Sequence, residues 1–201
     1  HCGYYRSLNR DLSVQSSDKD FSPQLAPVSG YLAYLYLATR NDDYLQQMER
    51  IMKVVTEKMT FDDEPWILER FDRSWNYTYS VRDDSTEVNT GHHAEVVWML
   101  LRLYHLTGKE AYLQKAIALQ KPLYRHGMEK RTGVWYHRIG RENPVHHSFS
   151  VPWWIQAYGN MLSLYLYRET RQDRFLKAFR RGAEFWNRHL IDDTSGGAFL
   201  S

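Results

Sequence analysis

Cysteine is almost absent: the 201 residues hold one, Cys2, so no disulfide can close within the chain and no cysteine-based metal site can be built. Long apolar runs are missing too. The stretch from Val96 to Leu101 is ended by Arg102, far short of the roughly 20 residues a membrane-crossing helix needs. Neither sign of charge dominates, with 26 basic side chains against 24 acidic ones and a formal net charge of +2. That balance excludes the electrostatic footprint of a nucleic-acid or anionic-membrane partner. No phosphate-cradling glycine loop and no metal-ligand spacing occurs, so no cofactor and no metal are expected. His1-Cys2-Gly3-Tyr4 opens without a basic start and an apolar run, so no signal peptide is expected and the cytoplasm is the favoured location. A homodimer is compatible with all of this.

What the chain does have is aromatic side chains, 15% of residues, including 15 Tyr and 7 Trp. Rings with apolar faces and polar tips can fill a core or line a sugar-binding cleft. A small neutral partner suits this composition.

Laid on itself, the chain repeats about every 65 residues. Similar joints stand at Leu37 to Leu45 (LATRNDDYL), His105 to Leu113 (HLTGKEAYL) and Arg168 to Leu176 (RETRQDRFL). Before each joint runs an apolar helical pattern, Tyr31 to Ala38, Ala94 to Leu106 and Trp154 to Tyr167. After each comes an amphipathic one, Tyr44 to Met59, Ala111 to His126 and Arg174 to Leu190. The first kind, apolar nearly all round, is expected to be a buried inner helix, and the second an outer helix with one wet face. Strand-like aromatic segments, Gly3 to Asp11, Trp66 to Ser74, Gly133 to Arg141 and Gly196 to Ser201, are expected to form short hairpins between pairs. A helix pair cannot bury its own apolar face, so such repeats stack into a solenoid or close into a ring. The expectation is an all-α fold, an (α/α) barrel of repeated helix pairs linked by short β-hairpins. Residues 1–201 would form one partial barrel domain holding about half of the full toroid, a fragment without its flanking helix pairs.

Chemistry concentrates at the start of the second inner helix. In Asn89-Thr90-Gly91-His92-His93-Ala94-Glu95, the residues His92, Glu95 and Met99 fall at i, i+3 and i+7 on one helical face. Histidine titrates near neutrality and can act as acid or base, and a carboxylate one turn away can hold its ring. The competing reading is a histidine pair that only caps or packs the helix.

Gly91-His92-x-x-Glu95-x-x-Trp98-x-Leu100 resembles the GHxxExxWLL helix of the N-acylglucosamine 2-epimerase and cellobiose 2-epimerase family. Trp153-Trp154-Ile155-Gln156-Ala157 resembles that family's WWxQAE helix, and Asp192 to Phe199 its D-x-x-x-GGWF hairpin. The resemblance implies a barrel whose cleft opens a reducing sugar and deprotonates it next to the carbonyl, giving an enediolate. Proton return at C2 gives epimerisation, and return at C1 gives aldose–ketose isomerisation. It implies catalytic roles for His92 and Glu95. It implies substrate binding by Trp153, Trp154, Gln156, Trp98, Tyr158 and Arg70. Tyr158 stands where the family helix carries Glu, and the family's second catalytic histidine belongs to a later helix pair. Aligned instead on an NTHLH motif of the same family, Asn89-Thr90-x-His92-His93 would make His93 the inward residue.

Other candidates compete. Asp62, Asp63, Glu64 and Glu69 could serve a glycosidase, which needs two carboxylates across a cleft, although a charge run in a turn is usually a wet face. His146 and His147 precede the Trp-Trp helix, Arg73 and Arg138 join Arg70 on the hairpins, and Asn76-Tyr77-Thr78 matches a glycosylation sequon. The alternatives to an epimerase or isomerase are a glycoside hydrolase or lyase on such a barrel, and a non-catalytic carbohydrate-binding barrel.

Overall fold

A computed structural model describes residues 3–60, 65–78, 87–140 and 150–199. Cys2, Asp62, Asp63, Glu64, His146 and His147 lie outside the described residues. The chain divides into two compact units, His1–Ser85 and Thr86–Ser201.

In the first unit, β1 (Ser7–Leu8) pairs antiparallel with β2 (Val14–Ser16). β3 (Lys19–Asp20) pairs with β4 (Arg70–Phe71), setting Asp20 opposite Arg70. A helix then runs from Phe21 to Thr39 as α1 (Phe21–Pro27), a π segment (Val28–Leu32) and α2 (Ala33–Thr39). The apolar pattern marked its start at Tyr31, ten residues late. Pro23 and Pro27 hid the earlier turns, yet Pro23 falls in the first turn, where no carbonyl waits for its N–H. Pro27 is followed by the wider π turn, one of the few ways a helix continues past a missing donor. The outer helix α3 (Asp42–Lys58) buries Met48, Ile51, Met52 and Val55 and carries Asp42 and Asp43 in its first turn, where the helix dipole favours acids.

The inner helix of this unit corrects one expectation. Leu32 and Ala33 are buried, but Tyr31, Tyr34, Leu35 and Leu37 are exposed, Tyr34 by 59%. The all-round apolar pattern identified the helix and not its burial, because among the described residues only one side of it is packed.

The second unit is more regular. β5 (Glu87–Asn89) pairs with β6 (Arg138–Gly140) and leads directly into α4 (Thr90–Thr107). α5 (Glu110–His126), α6 (Trp153–Thr170) and α7 (Asp173–Phe185) follow, with a π segment (Trp186–Leu190) after α7. α4 packs against both α5 and α6, and α6 also packs against α7. Two-sided cover explains why α4 is apolar nearly all round: Val96, Val97, Met99, Leu100, Leu101 and Leu103 are all buried. What remains is a half-buried stripe of His92, Glu95, Trp98 and Arg102.

The repeat is visible atom by atom. At the three joints Thr39, Thr107 and Thr170 each donate a hydroxyl hydrogen bond, 2.7 Å long, to the carbonyl four residues back. The same hydroxyls accept from the backbone N–H of Asn41, Lys109 and Gln172. Between them Arg40, Gly108 and Arg171 adopt the left-handed conformation, and each N–H bonds a tyrosine carbonyl, that of Tyr36, Tyr104 or Tyr167. Tyr-x-x-Thr followed by a left-handed residue is therefore the stop signal at all three joints among the described residues. Single bridges recur as well, Thr60 with Ile67, Met128 with Trp135 and Ile191 with Ala198. Of the expected local hairpins the first is the β1–β2 pair and the later three are these bridges, while the strand pairs β3–β4 and β5–β6 join segments about fifty residues apart.

Candidate functional site

The start of α4 is fixed from three directions. Asn89 caps it, its side-chain oxygen accepting from the N–H groups of Gly91 (3.0 Å) and His92 (3.2 Å). The Thr90 hydroxyl donates to the Tyr136 carbonyl. Gly91 lets α6 come close, since a Cβ there would lie 2.4 Å from Trp154 Cζ3 and 2.7 Å from Ile155 Cγ1. The result is that the first turns of α4 and α6 touch.

Across that contact the His92 and Trp154 rings lie 5.4 Å apart, tilted by 37°. One turn on, the Tyr158 hydroxyl donates to Glu95 Oε1 at 3.3 Å. The Tyr158 ring meets Trp154 edge-on at 6.2 Å and Trp98 at 5.8 Å. The Arg102 guanidinium sits 5.0 Å over the Trp98 ring, and the buried Trp98 indole N–H has no acceptor among the described residues. Imidazole, carboxylate, phenol and two indoles thus share one seam between α4 and α6. Trp153, first residue of α6, stands beside it and is 42% exposed.

His93 is a different residue in kind. It is fully buried and its Nε2 lies 2.8 Å from the Leu119 carbonyl of α5. A carbonyl only accepts, so this nitrogen carries a proton. Burial pushes its pKa down to about 4, against a smaller upward pull from the hydrogen bond to Leu119. The side chain an NTHLH alignment would turn inward is packed under α5.

Gln156 is also buried. Its amide accepts from the Trp135 N–H (2.8 Å) and donates to the Trp135 carbonyl (2.7 Å), so both ends hold the backbone of the hairpin after α5. Both polar atoms of its amide are engaged by that backbone, and the side chain is sealed from solvent. Trp135 itself, within the expected Gly133 to Arg141 hairpin segment, is clamped between Gln156, Tyr124 at 5.0 Å and the bare Cα of Gly159. A strand-like Val-Trp-Tyr run gave no hint of that clamp, whereas Asn89 could have been found from the ordinary preference for Asn at helix starts. Arg70 is exposed on β4 of the first unit, opposite Asp20. Burial raises the Asp20 pKa, while the Arg6 and Arg70 charges hold it back. Among the described residues no three His, Cys, Asp or Glu side chains are grouped so as to hold a metal ion.

Helix pairs joined by bridged turns, with a histidine–carboxylate face against an aromatic wall, define a class: helical-repeat proteins of the (α/α) barrel type. The comparisons go one step further. The sequence profile of the N-acylglucosamine 2-epimerase (GlcNAc 2-epimerase) family matches residues 7–199, and the chain belongs to that family. It is 24% identical over 170 residues to a D-mannose isomerase of Marinomonas mediterranea, a match covering 79% of this chain and 42% of that protein. The crystal structure of a sugar epimerase from a ruminal bacterium superposes with a TM-score of 0.83 at 16% identity, covering 99% of this chain and 52% of that one. A family 76 glycoside hydrolase from a bovine Bacteroides thetaiotaomicron strain superposes with a TM-score of 0.73 at 16% identity, covering 94% of this chain and 38% of that one. The chain therefore spans about half or less of the length of these relatives, and the structural matches establish the fold.

Proposed function

We propose that the protein is a cofactor-independent sugar 2-epimerase or aldose–ketose isomerase in which His92 moves the proton next to the sugar carbonyl. The observation that carries this reading is the His92 imidazole facing the Trp154 ring, with Glu95 one turn away, in a chain that matches the epimerase family almost end to end. An aromatic wall beside a base holds a sugar ring by its apolar face. A base close to C2 can then remove the proton and return it through an enediolate. Glu95 orients the reacting groups. Trp153, Trp154, Trp98 and the ring of Tyr158 contact the sugar, with Gln156 shaping the wall from behind. On this reading residues 1–201 are one part of a larger barrel, working in the cytoplasm on a neutral mono- or disaccharide and not on nucleic acid. No helix among the described residues is long and apolar enough to cross a membrane.

The test is to incubate the complete protein with mannose, glucose, cellobiose and N-acetylmannosamine in deuterated water and to follow the C2 hydrogen by NMR. Deuterium incorporation at C2 is expected for one or more of them. Release of a reducing end from an oligomannoside, without any exchange, would instead identify a glycoside hydrolase.

A further inference from the structure

We infer that Tyr158 is a positioning residue that acts through Glu95, its phenol hydroxyl anchoring one carboxylate oxygen so that the other is presented beside His92. The inference rests on the reaction proposed above.

Glu95 sits on the half-buried stripe of α4, where a glutamate side chain has several rotamers to choose from. On the stripe itself its neighbours are His92, Trp98 and Arg102. The hydrogen bond that settles its orientation comes from α6, and an ionised carboxylate only accepts, so the Tyr158 O–H is the donor. The donor is well aimed. Trp98 on one side and Trp154 on another fix the plane of the phenol, and both rings belong to the same seam. At 3.3 Å the bond is longer than the usual hydroxyl–carboxylate distance of about 2.6 Å. Such hydrogen bonds often tighten when substrate fills the site. With Oε1 held, the remaining lone pairs of Glu95 are available to an imidazole N–H or a sugar hydroxyl. A carboxylate in place of the phenol would repel Glu95 and could not donate to it when ionised.

Tyr158→Phe isolates the hydroxyl, because the ring and its contacts with Trp98 and Trp154 stay. In the complete protein, on whichever of the four sugars exchanges, kcat for C2 proton exchange is expected to fall roughly 10-fold with KM changed less than about twofold. In a Glu95→Gln background the same change should cost less than about twofold, since coupled residues are not additive. A rise in KM with kcat intact would mean that the hydroxyl meets the sugar directly, and it would overturn the inference. So would equal losses in the two backgrounds. A spectroscopic arm separates this inference from the reaction it rests on. In protein labelled with carboxyl-13C glutamate, the Glu95 resonance is identified by its loss in Glu95→Gln, and it should move in Tyr158→Phe. If it moves while the native protein exchanges no sugar, the tie stands and the reaction class is wrong. If it does not move, the inference fails whatever the activity.

Discussion

Two faces of one helix carry adjacent histidines in opposite surroundings. On the α6 side of α4, His92 is half-buried, touches the Trp154 ring and shares its stripe with Glu95. On the α5 side, His93 is sealed, neutral and bonded to the Leu119 carbonyl. Neighbouring positions on a helix differ by about 100°, enough to send two identical side chains into unrelated surroundings. Residue type alone does not separate the two rings; the wall opposite each one does.

That contrast is broken most forcefully at His92. His92→Asn is expected to reduce C2 proton exchange roughly 100-fold or more, the usual loss on removing a positioned general base, with the melting temperature nearly unchanged. Retained exchange in this variant would remove His92 from the mechanism.

His93 should show the reverse behaviour. His93→Leu is expected to cost about 1–3 kcal/mol of stability at pH 7, from the lost buried hydrogen bond, and to leave exchange per folded molecule intact. The pH dependence follows from the low folded-state pKa of about 4. Between that value and the roughly 6.5 of an unfolded histidine, the unfolded chain binds a proton that the folded one does not. Stability from this group is thus complete above about pH 6.5 and is lost as pH falls toward 4. In urea melts at pH 7 and pH 5, the stability gap between the native protein and His93→Leu should narrow at the lower pH. A constant gap would show that His93 takes up a proton as readily in the folded chain as in the unfolded one.

A smaller effect is expected at the aromatic wall. Trp154→Ala should raise KM about tenfold, the worth of one aromatic contact, and change kcat less. A fall in kcat alone would place the ring outside the binding surface. The smallest effect of all is expected from chelation: turnover should survive exhaustive EDTA treatment, and loss restored by a divalent ion would contradict a purely side-chain mechanism.

Much of this was legible without coordinates, and for a local reason. Helix pairs, their joints and the i, i+3 stripe on α4 depend on periodicity and on end signals within a few residues, so the joints at Leu37 to Leu45, His105 to Leu113 and Arg168 to Leu176 mark the three stops in the sequence itself. Where the local signal conflicted, the reading failed: Pro23 and Pro27 concealed the first turns of the helix that begins at Phe21. Burial was equally out of reach along the exposed Tyr31 and Tyr34, because apolar composition states what a surface prefers and not what is packed on it.

The sequence by itself determined that helices repeat, where they stop, and that a histidine and a glutamate share a helical face. Tertiary structure alone decided which of two adjacent histidines meets an aromatic wall. It also turned Gln156 onto the Trp135 backbone and joined Tyr158 to Glu95 across 63 positions of chain. The physical reason is the range of the forces: hydrogen-bonded helical periodicity is settled within a turn or two, whereas burial and contact between side chains exist only once separate helices have been brought together.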